Sequence, residues 1–175
     1  MVDVAFGSVP TPLGDVLAAV TPDGVAATAF EDGQQVRAKI LDRLGAHAVD
    51  DPARTAGARD ELAAYFAGRL TAFTVPVDWR LMSALQRLVL GTLYETVPYG
   101  KVTTYGELAT SSGAGVPARA IGSIMGSNPV PIIVPCHRVV AGNGLGGFSG
   151  GDGVESKRWL LTLEGHLPPT LDWEL

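Results

Sequence analysis

The neighbours Cys136 and His137 are the residues of this sequence best suited to covalent chemistry. Cys136 is the only cysteine in the 175-residue chain, so it cannot form a disulfide within the chain. The thiolate is the reactive form of cysteine, and a nearby imidazole can generate it at neutral pH. The alternative interpretation is a small buried residue that merely precedes a histidine. The surrounding segments have to decide between the two.

Composition limits the classes of protein to which the chain can belong. Its hydrophobic content of 46% is enough for a packed core, and its length suits one domain or two small ones. The N-terminus has no basic region followed by a long apolar run, and no apolar stretch is long enough to span a membrane. With a single cysteine, this pattern favours a reducing, cytoplasmic location without membrane contact.

The net charge of −5 is unevenly distributed along the chain. Residues 1–79 hold six Lys/Arg and eleven Asp/Glu, whereas residues 80–165 hold seven Lys/Arg and five Asp/Glu. The half that contains the cysteine is therefore mildly basic. A strong phosphate-binding surface usually has a denser cluster of Lys and Arg. The charge permits nucleic-acid binding without demonstrating it.

Residues 1–79 have the pattern of a small α/β domain without a catalytic cluster. Two apolar runs, 13–21 and 25–30, are separated by the turn sequence Pro-Asp-Gly and predict strands. Apolar residues at helical spacing predict helices over 36–44 and 54–69, and a strand or a linker follows over residues 73–77.

Residues 80–175 have the pattern of a mainly helical domain. A helical period runs through residues 82–93. Thr104 and Glu107 have the spacing of a capping box at the start of a helix, and a second helix is predicted over 117–125. Two short helices around a glycine-containing turn form a helix-turn-helix pattern, although many helical hairpins share it.

The second of these helices combines one basic side chain, Arg119, with a face of small residues. Those residues are Ala118, Gly122, Ser123 and Gly126. A helix that reads bases in the major groove needs several Arg, Asn or Gln side chains. Small residues instead permit a close approach, which fits tight helix packing and shallow-groove contact with DNA equally well.

The cysteine lies between a proline-rich segment and a glycine-rich one. Three prolines in residues 129–135 favour extended backbone, and a strand is predicted over 138–141. Seven of the twelve residues in 142–153 are glycine, but no Gly-Lys-Ser/Thr sequence closes the run, so it is not a P-loop. It is either a flexible surface loop or a lid with amides close to a ligand. A last helix over 154–164 precedes a loose tail.

Five stretches between residues 98 and 165 stand in a characteristic order. They read Pro-Tyr-Gly-Lys-Val-Thr-Thr-Tyr-Gly-Glu-Leu-Ala, Ala-Arg-Ala-Ile-Gly, Ser-Asn-Pro-Val-Pro-Ile-Ile-Val-Pro-Cys-His-Arg-Val-Val, Gly-Phe-Ser-Gly-Gly and Lys-Arg-Trp-Leu-Leu-Thr-Leu-Glu-Gly. In this order and spacing they resemble the O6-alkylguanine-DNA alkyltransferases, or methylated-DNA–protein-cysteine methyltransferases. The resemblance implies an α+β fold. It would have a small ribonuclease-H-like α/β domain over 1–79 and a mainly helical DNA-binding and active-site domain with a helix-turn-helix over 80–175.

The resemblance implies a reaction that consumes the protein. The family moves an alkyl group from O6 of guanine, and from O4 of thymine, to its own cysteine, which is not regenerated. Cys136 would be the acceptor, His137 would take its proton through a water, and Glu164 would orient His137 and stabilise its charge. Asn128 would brace the turn before the cysteine segment. Tyr105 would donate to a ring nitrogen of guanine, unless it is simply a packed core residue.

The resemblance also implies how DNA would be bound. The partner would be double-stranded DNA with O6-alkylguanine, contacted by a monomer in the minor groove without sequence specificity. Arg119 would fill the gap left by a flipped nucleotide, and the carbonyl of Val139 would accept from the guanine amino group. The other DNA- and base-binding residues would be Thr104, Ala118, Gly122, Ser123, Phe148 and Ser149. No cofactor and no metal are expected, because the zinc site of some relatives needs further cysteines.

Three positions depart from the family pattern. Leu85 and Gly91 stand where the family often has an aromatic residue and a tryptophan, and Phe148 stands where it often has tyrosine. A glycine inside a helix is expected to weaken or bend it. We expect these differences to affect the size of the alkyl groups that the protein accepts more than the reaction itself.

Two other functions were weighed against alkyl transfer. A protein that binds alkylated guanine without reacting resembles the family but lacks the acceptor cysteine, and this chain has Cys136. A cysteine hydrolase would need an oxyanion hole, and no glycine-framed nucleophile turn surrounds Cys136.

Overall fold

The first half of the chain forms a four-stranded sheet with two helices. The computed structural model describes residues 1–168, so the predicted loose tail lies outside the described residues from Pro169 onward. The strands are β1 (Val2–Thr11), β2 (Gly14–Thr21), β3 (Gly24–Ala29) and β4 (Ala46–Val49), and the helices are α1 (Gln34–Leu44) and α2 (Pro52–Phe66).

The second half is mainly helical. Its elements are α3 (Ala84–Thr96), β5 (Thr103–Thr104), α4 (Tyr105–Ser112), α5 (Ala118–Gly126), a 3₁₀ turn (Cys136–Arg138), β6 (Val139–Val140) and α6 (Val154–Leu163). The α+β class predicted from the sequence is confirmed. None of the helices within residues 1–168 is both long and apolar enough to cross a membrane.

The sheet has the strand order β3-β2-β1-β4. β1 and β3 pair antiparallel with β2, and β4 pairs parallel with β1. The two predicted strands correspond to β2 and β3. β1 was not predicted, because Gly7 and Ser8 interrupt its apolar alternation. Residues 73–77 form a linker rather than a strand, with one bridge between Val25 and Val77.

Local signals account for most of the second half. The predicted capping box is confirmed, since Thr104 and Glu107 satisfy each other's backbone amides at the start of α4. Pro117 is the N-cap of α5 rather than its first residue. The predicted strand over 138–141 was wrong in extent: the 3₁₀ turn ends at Arg138, and β6 is two residues long. β6 pairs parallel with β5.

The largest buried apolar cluster contains residues from both halves of the chain. The first half contributes Val16, Leu62 and Tyr65, and the second contributes Leu90, Leu93 and Leu160, among others. Apolar surface of one half is therefore removed from water by the other, which stabilises their contact. A boundary between residues 79 and 80 stays a prediction.

The unusual glycine of α3 lies at an open position. α3 continues through Gly91, and a Cβ built there would meet no atom within 4 Å. At the position where the resemblance places a tryptophan, this protein therefore has open space beside the helix. Leu85 on the same helix is 39% exposed, so its difference from the family also lies at the surface.

Gly91→Ala should raise the free energy of unfolding by about 0.5–1 kcal/mol, because alanine loses less conformational freedom in a helix and meets no neighbour here. Urea denaturation measures the change. Gly7→Ala is the control and should destabilise the protein, since its Cβ would lie 2.5 Å from Oγ1 of Thr55. A loss of stability in Gly91→Ala would contradict the expectation.

Candidate active site

The reactive cysteine is held by a tight, buried loop. Cys136 is a free thiol with 5% exposure at the start of the 3₁₀ turn. Asn128 spans the loop before it: its side-chain amide donates to the carbonyl of Val134, and its oxygen accepts from the amide of Val130, both at 2.9 Å. The loop includes Ile132 at a φ of 75°, a left-handed conformation that a β-branched residue rarely adopts.

The environment of the thiol disfavours its charge in the resting protein. Burial raises the pKa of Cys136. A hydrogen bond from Asn128 and the charge of Lys157 act in the opposite direction but do not cancel the effect of burial. A nearby base is therefore needed to produce the thiolate.

His137, the next residue in the chain, has the hydrogen bonding of a candidate base. It is completely buried, and its Nε2 lies 2.7 Å from Oε2 of Glu164. Since a carboxylate can only accept, Nε2 carries the proton and Nδ1 is left as an acceptor. Nδ1 is buried and has no hydrogen-bond partner among the described residues. Burial lowers the pKa of His137, with Glu164 opposing, so the ring is neutral at pH 7 and able to take a proton.

Glu164 collects donors from distant segments of the chain. Its carboxylate is buried just after α6 and lies 2.8 Å and 3.0 Å from two nitrogens of Arg138. The amide of Gly100 also donates to it, at 3.2 Å, and the hydroxyl of Tyr65 donates at 2.6 Å. Burial raises the pKa of Glu164, but the bonds and charges of His137 and Arg138 outweigh burial and hold the pKa well below its usual range. The group is a carboxylate at neutral pH.

Two members of this network were missed by the sequence analysis. Arg138 was assigned to a strand, and Tyr65 lies on α2 in the half that was expected to carry no catalytic cluster. Tyr65 is followed by Phe66 and has the apolar surroundings of a core aromatic residue. No local signal in the sequence marks its hydroxyl, because its partner Glu164 is 99 residues away.

A cavity of about 360 Å³ opens onto the thiol. Its walls combine α4, α5 and the glycine-rich loop, and its lining residues are Tyr105, Gly122, Met125, Gly126, Cys136, Gly147, Phe148 and Ser149. The structure thus brings together four of the residues assigned by resemblance with the cysteine. A larger surface groove, of about 670 Å³ along residues 96–111, is lined by neither Cys136 nor His137 and is remote from this chemistry.

A buried lysine forms a hydrogen bond to the glycine-rich wall of the cavity. Lys157 is fully buried, and its Nζ donates to the carbonyls of Val139 at 2.6 Å and Gly147 at 3.0 Å. Burial lowers the pKa of Lys157 to about 8. Val139 itself is buried and does not line the cavity.

At two positions the backbone of this wall lies so close to an aromatic ring that no side chain would fit. A Cβ at Gly146, where φ is 74°, would lie 2.6 Å from the hydroxyl oxygen of Tyr105. A Cβ at Gly150 would overlap the ring of Phe30, which contacts Phe148 edge-on with ring centroids 6.0 Å apart. Glycine at these positions lets the backbone pass close to the aromatic rings.

The remaining residues assigned by resemblance lie outside the cavity lining. Ala118, Arg119 and Ser123 are exposed on α5. The hydroxyl of Thr104 accepts from the amide of Glu107 at 3.1 Å and so caps α4. Within residues 1–168 no group of three or more His, Cys, Asp and Glu side chains is placed to hold a metal ion, and the absence of a metal stays a prediction.

Glu164→Gln should lower the free energy of unfolding at pH 7 by about 3–5 kcal/mol, because Arg138 would stay buried without its charge partner. The pKa of Glu164 is lower in the folded state than in the unfolded state. Its charge therefore stabilises the fold above about pH 4.5, and this contribution is lost as the pH falls further. Urea denaturation of both proteins at pH 7 and at about pH 3 should show the difference shrinking. An equal difference at the two pH values would count against this role.

Three comparisons relate this structure to known proteins. Residues 84–166 match the family model described as the DNA-binding domain of 6-O-methylguanine DNA methyltransferase. A methylated-DNA–protein-cysteine methyltransferase of Mycobacterium tuberculosis is 47% identical over 124 residues, which cover 70% of this chain and 73% of that protein. The crystal structure of an O6-methylguanine methyltransferase from the same species matches with a TM-score of 0.76 at 36% identity, over the whole of both chains.

A further crystal structure from M. tuberculosis, described as a complex with DNA, matches with a TM-score of 0.75 at 36% identity over 93% of each chain. The sequence relationship covers more than two thirds of the relative's length, and the match to the family model includes the cysteine segment. The chain therefore belongs to the methylated-DNA–protein-cysteine methyltransferase family.

Proposed function

We propose that the protein repairs DNA by moving a methyl or larger alkyl group from O6 of guanine, and from O4 of thymine, to Cys136. The transfer is irreversible and happens once per molecule. The observation that carries the proposal is the cavity on the Cys136 thiol, followed directly in the chain by the neutral, Glu164-bound His137. The relatives are methyltransferases by name, which favours neither lesion binding without transfer nor hydrolysis.

The transfer starts with the removal of the thiol proton. That proton passes through a water to Nδ1 of His137, the buried nitrogen that Glu164 leaves as an acceptor. Glu164 stabilises the resulting imidazolium and does not itself become protonated. The sulfur of Cys136 then forms a bond to the alkyl carbon while the bond from that carbon to O6 breaks. The protein keeps the alkyl group as a thioether.

Tyr105 assists the departure of guanine. As the bond to O6 breaks, negative charge develops on the base, and the hydroxyl of Tyr105 at the cavity wall donates to a ring nitrogen. Burial raises the pKa of Tyr105, which keeps the hydroxyl protonated at neutral pH. The hydroxyl proton of Tyr105 passes to the base, which leaves as neutral guanine, and the proton that His137 took from Cys136 returns through water to restore the hydroxyl. Val139 and Ser149 contact the amino group and the O6 region of guanine.

The DNA is approached through α4 and α5, which act as a helix-turn-helix. Exposed small residues on α5 let the helix lie against the minor groove, and Arg119 enters the stack after the damaged nucleotide has flipped into the cavity. The protein acts as a monomer and without sequence specificity in the cytoplasm. The sheet and helices of residues 1–79 form a ribonuclease-H-like domain, which the strand order β3-β2-β1-β4 supports.

The direct test uses an oligonucleotide with one O6-methylguanine and intact-protein mass spectrometry. One methyl group per protein molecule is expected, located on Cys136 by peptide mapping, because this is the only thiol. Cys136→Ala is the control and should gain none. No mass change, or many turnovers per molecule, would refute the proposed function.

Arg119→Ala separates base flipping from the chemical step. The variant should transfer methyl from duplex DNA at least about tenfold more slowly, since an open gap in the stack costs a few kcal/mol. Its reaction with free O6-methylguanine base should be unchanged. Single-turnover rates on both substrates measure the two effects.

Arg69→Ala is the matched control for the loss of one exposed positive charge, because Arg69 is exposed outside α4 and α5. It should react with both substrates at the wild-type rate. Equal slowing of Arg119→Ala on duplex and on free base would contradict the flipping role.

A further inference from the structure

The hydroxyl of Tyr65 shares one carboxylate oxygen with His137. It donates to Oε2 of Glu164 at 2.6 Å, and Nε2 of His137 lies 2.7 Å from the same oxygen. The hydroxyl is also 3.4 Å from Nε2, but Nε2 already carries a proton and cannot accept. One nitrogen of Arg138 also donates to this oxygen, at 3.0 Å, so three donors share the negative charge of Oε2.

The position of this hydroxyl is set by the rings around it. Tyr65 is 1% exposed and packs against Phe66 and Phe73, each with centroids 5.4 Å away, and against Tyr99 at 6.1 Å. Burial raises the pKa of Tyr65 well above its usual value, and the charge of Glu164 acts in the same direction. The group is thus a permanent neutral donor that points at the carboxylate.

We propose that Tyr65 is a positioning residue that withholds part of the Glu164 charge from His137, so that Cys136 rests as a thiol until substrate binds. Each hydrogen bond that a carboxylate accepts stabilises its negative charge and so lowers its affinity for a further proton. Without the hydroxyl, Glu164 would stabilise the imidazolium more strongly, and the proton shared by Cys136 and His137 would move towards His137. The inference rests on the proposed alkyl transfer, in which a thiolate formed too early would be open to other electrophiles.

Other charged and titratable groups face this network and stay in place when Tyr65 is altered. Arg138 binds both oxygens of Glu164, and Lys157 acts on Cys136 and His137 from α6. Tyr99 faces Glu164 from the segment after α3, and Tyr105 faces the thiol from α4. Removing Arg138 or Lys157 would change the net charge of the site. Tyr65→Phe changes no formal charge, so it isolates the effect of one hydrogen bond.

The test is the rate of Cys136 alkylation by iodoacetamide as a function of pH. The reagent reacts with thiolate, and mass spectrometry reads a single site because the chain has one cysteine. Tyr65→Phe should move the midpoint of the rate–pH curve to lower pH and speed alkylation at pH 7 by about threefold to tenfold. That change lies within the contribution of a hydrogen bond to a charged group. An unchanged midpoint, or one moved to higher pH, would overturn the proposal.

Two further variants separate charge sharing from packing. Tyr99→Phe removes a neighbouring hydroxyl of the same aromatic cluster, one that donates to the carbonyl of Leu163 at 3.2 Å and not to the carboxylate, so any shift of the midpoint should be much smaller than that of Tyr65→Phe. In a Glu164→Gln background, adding Tyr65→Phe should no longer shift the midpoint, because Tyr65 acts through the carboxylate. A shift as large as that of Tyr65→Phe in either case would mean that loosened packing explains the result, and the proposal would fail.

The alkylation assay contains no DNA, so it also distinguishes the two proposals. If wild-type protein fails to take methyl from the oligonucleotide, the proposed function fails, and the alkylation curves still decide the role of Tyr65. If wild-type protein does take it and the midpoint of Tyr65→Phe is unchanged, the role of Tyr65 alone is refuted.

Discussion

The buried carboxylate of Glu164 is the interaction on which the rest of the site depends. Its donors come from α2, from the segment after α3 and from the 3₁₀ turn: Tyr65, Gly100, His137 and Arg138. A buried charge is tolerated only when it is paired and fully hydrogen-bonded. The two halves of the chain must therefore meet in one arrangement, and that arrangement also orients the imidazole beside the thiol.

The wall of the cavity is also held by a buried charged group with hydrogen-bond partners. Lys157 binds two carbonyls, one in β6 and one in the glycine-rich loop, so a loop rich in glycine is held by charge-assisted bonds rather than by its own conformation. Phe30, at the end of β3, closes on Gly150 and Phe148 from the first half. The resemblance places a tyrosine at position 148, and Phe148 lacks its hydroxyl. This part of the cavity wall is therefore apolar, which is expected to affect the size and polarity of the alkyl groups that fit.

The sequence was informative wherever the signal is local. The strands β2 and β3, the capping box of α4 and the ends of α6 follow from turn residues, spacing and apolar period. Cys136 and His137 were identified by residue type, whereas Glu164 and the roles of all three residues followed from a resemblance carried by short motifs. Local patterns cannot reveal contacts between distant residues, and the bond from Tyr65 to Glu164 joins residues 99 positions apart. Arg138, the last residue of the 3₁₀ turn, was assigned to the strand because Val139 and Val140 continue an apolar run after it.

The bond between Tyr65 and Glu164 has a consequence for the modularity of the molecule. The carboxylate that binds His137 also accepts a hydrogen bond from Tyr65 in the first half of the chain. The DNA-binding half therefore does not contain every group of the hydrogen-bond network around the imidazole. A chimera that joins residues 80–168 to the first half of a relative would inherit the donor which that half supplies at this point. On the proposed role of Tyr65, exchanging the first half between family members would also change the reactivity of Cys136 wherever the new half lacks this hydroxyl.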